Sequence, residues 1–243
     1  MPIDNANALD AAVEARLASA LDELRALCRQ PSVAAQHLGI EECAGLVAEL
    51  LRRRGFDVRV MPLPGGHPVV YGEAPGRHER TMLFYNHYDV QPAEPLELWD
   101  SPPFEAALRD GKLYARGVSD DKGHIVSRLA ALDAVKDVRG AYPCRIKFVV
   151  EGEEEVGSPH LPDFVAAHKD LLRADACIWE SGGVNDQGRP SLYLGMRGIS
   201  YVQLRVRTIS YDAHSGMGGS ILPNAAWRLT WALATLKGQD ERI

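Results

Sequence analysis

The chain has 243 residues, of which 46% are hydrophobic and 25% charged, and its formal net charge is −6. This composition excludes a mostly disordered or collagen-like chain, and the length suits one or two globular domains. The acidic balance argues against coating nucleic acid, and no apolar stretch approaches the ~20 residues that span a bilayer, so neither is an expected partner.

The first residues, Met1-Pro2-Ile3-Asp4-Asn5, carry no basic start and lead into no apolar run, so no signal peptide is read. From about residue 8 to 28, Leu9, Val13, Leu17, Leu21, Leu24 and Leu27 share one helical face. A second helix places Ile40, Cys43, Ala44, Val47, Leu50 and Leu51 at i, i+3, i+4, i+7 spacing, with Gly55 just past its end. The basic run Arg52-Arg53-Arg54 suits the negative end of that helix dipole. Strands are expected at Phe56–Met61, Val69–Gly72, Thr81–Asn86 and Lys112–Ala115.

A helix is then expected from Asp121 to about Val138, a buried strand at Arg145–Val150, a helix at Leu161–Leu172 and a short buried strand at Ala176–Trp179. This alternation predicts an α/β fold: a mainly parallel mixed sheet with helices on both faces. After about Gly195 the pattern changes. Ile199–Arg207 alternates like a strand with one wet face, Ser210–Ser220 is a Gly/Ser-rich loop, and Pro223 to about Leu236 reads as a helix with Ala225, Leu229, Ala232, Leu233 and Leu236 inward. The expected organisation is a catalytic domain over residues 1–194 and the beginning of a second α+β unit over residues 195–243. The four cysteines, Cys28, Cys43, Cys144 and Cys177, lack CxxC spacing and read as buried thiols, which points to the cytoplasm.

Four polar clusters follow expected strands: Asn86-His87-Tyr88-Asp89, Ser119-Asp120-Asp121-Lys122, Glu151-Gly152-Glu153-Glu154-Glu155 and Trp179-Glu180-Ser181. In open α/β sheets the carboxyl ends of strands form the ligand crevice. Each cluster alone is ordinary, as a surface pair, a helix start or a solvated acidic face. Together they bring a histidine and several carboxylates to one place, where mutual repulsion calls for a cation. A divalent ion held by imidazole and carboxylate is the simplest neutraliser. No GxSxG elbow, GxxxxGK[ST] loop or GxGxxG turn is present, which disfavours a hydrolase serine and nucleotide cradling.

At these residues the sequence resembles the co-catalytic zinc metallopeptidases: carboxypeptidase G, acetylornithine deacetylase, succinyl-diaminopimelate desuccinylase, aminoacylase and the carnosinase-type dipeptidases. Asn86-His87-Tyr88-Asp89-Val90-Gln91-Pro92 is similar to that family's GHxDVxP motif, with Asn86 where glycine is usual. Trp99–Phe104 with Asp110–Gly123, the Glu154-Glu155 pair with Gly157-Ser158, and Asp212-Ala213-His214-Ser215-Gly216 resemble its other motifs. The stretches from Val90 and from Glu151 look most like the dipeptidase branch, whereas Glu180 is more like the aminoacylases and glutamate-releasing carboxypeptidases.

The resemblance implies two divalent ions, zinc first and cobalt or manganese as alternatives. His87 would bind one ion, Asp120 bridge both, Glu155 bind the other, and Glu180 complete the shell around the ion of His87. Asp89 would orient His87, Glu154 would be the general base, and His214 would reach the partner subunit's active site in a homodimer formed through the lid. The implied activity is hydrolysis of the amide bond of dipeptides or small peptides by a metal-activated water. An N-acyl-amino-acid deacylase and a truncated, non-catalytic chain remain as alternatives. The family's further histidine ligand, near its C-terminus, has no counterpart here, so the resemblance implies a chain that stops within the lid.

Overall fold

The computed structural model describes residues 6–180 and 182–242; Met1–Asn5, Ser181 and Ile243 lie outside the described residues. In chain order the elements are α1 (Ala6–Arg29), α2 (Ile40–Arg53), β1 (Asp57–Met61), β2 (Val69–Ala74), β3 (His78–His87), β4 (Ala107–Arg109), β5 (Lys112–Tyr114) and α3 (Lys122–Arg139). There follow β6 (Cys144–Glu151), α4 (Leu161–Ala167), α5 (Lys169–Leu172), β7 (Ala176–Ile178), β8 (Gly183–Val184), β9 (Pro190–Ser191), α6 (Ser215–Gly218) and α7 (Ala225–Ala234). The chain divides into two compact units, one ending at Leu192 and one beginning at Tyr193.

The first unit is built on a five-stranded sheet of order β1-β2-β6-β3-β7. Its pairings are antiparallel for β1–β2 and β2–β6 and parallel for β6–β3 and β3–β7, so the sheet is mixed in equal parts rather than mainly parallel. In the parallel half the strands end side by side. His87 pairs in register with Glu151, and Phe84 with Ile178.

Successive side chains on a strand point to opposite faces, and the sheet uses both. Phe84, Ile146, Phe148 and Val150 pack with Val47 and Leu51 of α2 and Ile125 and Leu129 of α3. Tyr85 and Val149, one residue on, pack with Val69, Tyr71 and Phe164 on the other side. The rings of Phe84 and Phe148 stack at 5.0 Å between centroids. Helices thus cover both faces, as the pattern predicts, and the apolar positions read for α2 are all buried.

Several local expectations change. Only Leu27 and Cys28 of α1 are buried, and Val13 and Leu17 are half exposed. A helix of 24 residues is about 36 Å long, and only its C-terminal part reaches the core. The helix expected over Leu161–Leu172 breaks at His168 into α4 and α5. Strand β7 is exposed rather than buried, Cys177 included, because it lies at the sheet edge and, among the described residues, has a neighbour on one side only. Arg54, from the basic run, donates to the Leu50 carbonyl at the end of α2, as the dipole reading expects, and beyond that reading also to Glu23 and Asp133, tying α2 to α1 and α3.

In the second unit, α7 begins two residues later than Pro223. Asn224 caps it by accepting from the N–H groups of Ala226 and Trp227 at 2.9 and 3.3 Å. None of the described α7 residues is buried, and Leu233 and Leu236, expected inward, are about half exposed. Ile199–Arg207 forms no strand, and its side chains do not alternate in burial: all are exposed except the half-buried Val206. A strand exists only by pairing, and among the described residues no segment pairs with it.

Candidate metal centre

Strand β3 delivers His87 to the C-terminal edge of the sheet, where its side chain is 1% exposed. The ring is held from both sides. Nδ1 lies 3.0 Å from the carbonyl oxygen of Asp89 and 3.4 Å from its carboxylate. Nε2 faces three carboxylates: Asp120 Oδ1 at 2.9 Å, Glu180 Oε2 at 3.6 Å and Glu154 Oε2 at 4.0 Å. These arrive from three other places in the chain: the turn before α3, the turn after β6 and the residue two beyond β7.

The turn before α3 depends on Gly117, at φ +81°. A Cβ there would sit 2.6 Å from Val90 Cγ1, so a side chain is refused on two counts. Lys122, fully buried, anchors the same turn by donating to the carbonyls of Leu27 and Gln30 at 3.0 and 2.7 Å. The ammonium thereby satisfies carbonyls at the end of α1 that have no helical partner. The turn after β6 is set by Asp89, whose buried carboxylate accepts the backbone N–H groups of Glu154 and Glu155 at 3.2 and 3.0 Å.

Charge is unbalanced here. Burial pushes the Glu180 carboxyl up to about 7; His87 opposes that rise, and Glu154, Asp121 and Asp120 add to it. Burial alone would depress His87, but hydrogen bonds to Asp120 and Asp89 hold its imidazole up at about 11. The bond to His87 lowers the Asp120 carboxyl, and burial raises Glu154. Among the described residues, the buried Glu180 Oε2 has no hydrogen-bond partner. An orphaned carboxylate oxygen beside an imidazole and two further acids fits a divalent cation, for which an N/O donor set of this kind is suited.

The structure thus brings together His87, Asp120, Glu154 and Glu180, with Asp89 behind His87. Glu155 is turned elsewhere: its carboxylate accepts from Gln91 Nε2 at 2.8 Å. His214 belongs to the second unit, where its ring Nδ1 accepts from the N–H of Gly216 at 3.1 Å at the start of α6.

Sequence reasoning missed Asp121, whose carboxylate lies with His87 and Glu180 so that one ligand atom of each falls within 4.8 Å of the others. Its oxygens are already engaged, by Asn86 Nδ2 at 2.6 Å, the His87 N–H at 3.1 Å and His124 Nδ1 at 2.7 Å. It also missed Gln91, and the buried Glu151, which accepts from Tyr85 and from Ser158. The polar residue directly before His87 was the one available signal for the Asn86–Asp121 link.

The chain is 35% identical over 191 residues to the cysteinylglycine-S-conjugate dipeptidase of Corynebacterium striatum, covering 78% of this chain and 42% of that one. It is 35% identical over 190 residues to the human Beta-Ala-His dipeptidase, covering 77% and 37%. The chain therefore spans less than half the length of these curated relatives. An M20 family metallo-carboxypeptidase from Sulfolobus solfataricus superposes with a TM-score of 0.79 at 32% identity, over 92% of this chain and 51% of that one. Residues 83–237, from the middle of β3 to just beyond α7, match a single family description, and since this is more than half of the sequence, the chain belongs to peptidase family M20/M25/M40.

Proposed function

We propose that this chain carries the metal-binding half of a dipeptidase that hydrolyses the amide bond of dipeptides or small peptides with two divalent ions, zinc first. The observation that carries the reading is the orphaned Glu180 oxygen 3.6 Å from His87 Nε2. His87, Asp120 and Glu180 would hold one ion, with Asp120 shared with a second that Glu155 would help to hold. Asp120 is preferred to Asp121 because the Asp121 oxygens already accept from three donors. The names of both relatives, dipeptidases, support the substrate class.

When bound, the ions supply Lewis acidity that polarises the scissile carbonyl and makes water a nucleophile near neutral pH. Glu154, whose carboxylate stands 4.0 Å from His87 Nε2, would take a proton from the attacking water and pass it to the leaving amine. Asp89 keeps the His87 ring aimed by engaging Nδ1, so that Nε2 faces the acids. Residues 195–243 are read as part of a lid and dimerisation domain, with His214 serving the active site of a second copy. The four free thiols fit a cytoplasmic setting. No helix among the described residues is long and apolar enough to cross a membrane.

The test has two readouts. Zinc, cobalt or manganese titrated calorimetrically into the chain should bind, and binding should be lost in His87→Ala and Asp120→Ala. The complete gene product should release free amino acids from Cys-Gly and β-Ala-His, and chelation should stop it. Equal binding by wild type and Asp120→Ala, or hydrolysis of N-acyl amino acids in place of dipeptides, would overturn the corresponding part.

A further inference from the structure

The residue before His87 is glycine in the motif the sequence resembles, yet here it is Asn86, completely buried. Both ends of its amide are engaged. Oδ1 accepts from Arg128 Nη1 at 2.6 Å, and Nδ2 donates to Asp121 Oδ2 at 2.6 Å. The orientation is chemically fixed, because a guanidinium only donates and a carboxylate only accepts.

Arg128 lies on α3, seven residues after Asp121, about two helical turns on. Its other bonds reach two different strand ends. Nη1 also donates to the carbonyl of Tyr85 on β3 at 2.8 Å, and Nη2 donates to the carbonyl of Trp179, the residue before Glu180. The guanidinium rests beside the Phe84 ring at 5.8 Å from its centroid. The path Trp179–Arg128–Asn86–Asp121 therefore joins the three chain segments that carry Glu180, His87 and Asp120.

We propose that Asn86 and Arg128 act as a positioning pair, clamping the ends of β3 and β7 to the start of α3 so that His87, Asp120 and Glu180 are presented at the spacing a metal requires. The pair touches no reacting atom; it works through the residues it holds. The inference rests on the metal-binding reading above. It explains why arginine is needed at 128: a planar fork reaches acceptors on two strands at once, whereas a lysine ammonium is a point charge on a flexible stem.

The experiment is a cobalt(II) titration of the 243-residue chain, read by calorimetry and by the visible absorption of bound cobalt, with folding checked by circular dichroism. Arg128→Met and Asn86→Ser should each bind cobalt roughly ten- to hundredfold more weakly, as expected for residues that orient ligands, and with a changed absorption band. Arg128→Lys, which keeps the charge, should remain weakened. The double variant should be no weaker than Arg128→Met within about threefold, because the two residues act through one network. Asn86→Ser carries the test if Arg128→Met does not fold. Unchanged affinity and spectrum in a folded single variant, full affinity in Arg128→Lys, or additive losses in the double variant would each overturn the pair alone. A wild-type chain that takes up no cobalt would instead refute the metal reading, and the pair with it.

Discussion

His87 and Asp89 are locked to each other, with Nδ1 of the imidazole 3.0 Å from the carbonyl oxygen of Asp89 and 3.4 Å from its carboxylate. The same carboxylate accepts the backbone N–H groups of Glu154 and Glu155. One buried aspartate therefore fixes both the ring on β3 and the acidic turn after β6. Asp89→Ala is expected to lower divalent-metal affinity roughly ten- to hundredfold. Asp89→Asn, with one acceptor oxygen left, should fall between it and wild type. Calorimetric titration of the folded variants decides this, and wild-type affinity in Asp89→Ala would disprove the linkage.

Glu154 and Glu155 are neighbours with opposite assignments. Glu154 Oε2 stands 4.0 Å from His87 Nε2, while the Glu155 carboxylate is held by Gln91. In the complete gene product, Glu154→Gln should keep its metal and lose turnover by a factor on the order of 10²–10⁴. Glu155→Gln should instead lose metal. Metal content and rate are measured side by side; near-normal turnover in Glu154→Gln would remove it as the base.

His214 is the one assigned residue in the second unit, at the start of α6. If it stabilises the oxyanion in a neighbouring subunit, His214→Ala should slow turnover of the complete gene product by about 10²–10³, with metal binding intact. Mixing His214→Ala with Glu154→Gln subunits should restore activity, because one site of the mixed dimer then has both groups. Confirmed mixed dimers with no rescue would rule out a role in trans.

Cys28 is fully buried, and burial pushes its thiol from the ordinary 9.0 up to about 11. The sign follows from linkage. Below pH 9 the thiol is neutral whether the chain is folded or not, so nothing is lost; between pH 9 and about 11 the unfolded chain ionises it and the folded chain does not. Stability should therefore fall across that window, by on the order of 2–3 kcal/mol for this thiol alone. Denaturant melts at pH 8.5 and 10.5 should show a smaller drop in Cys28→Ala than in wild type. At pH 8, alkylation should reach the exposed Cys177 before Cys28 and Cys43. Equal pH dependence in both proteins would contradict the account.

Much of the fold was legible locally. The 3.6-residue period marked α2, whose apolar face is buried as read. The alternation of strands and helices marked an α/β sheet with both faces covered, and three of the four polar clusters stood where a strand of that sheet stopped; the fourth, Ser119–Lys122, stands instead in the turn before α3, beyond β5 of a separate two-stranded sheet. Where a segment's state depends on a partner, local pattern failed. The alternation of Ile199–Arg207 meets no pairing segment among the described residues, and β7 lies exposed at an edge that its apolar residues do not announce.

The sequence alone determined the chemistry available, a histidine and acids at strand ends, because residue types and the punctuation of apolar runs are local properties. Tertiary structure decided which acids meet. Asp120 and Asp121 are adjacent in sequence, yet one faces His87 Nε2 and the other is consumed by Asn86, a backbone N–H and His124. Glu154 and Glu155 part in the same way. Parallel pairing of β3 with β6 and β7 sets those partners across tens of residues of chain. A carboxylate's role follows from the donors that surround it, and those donors are contributed by segments that only the fold brings together.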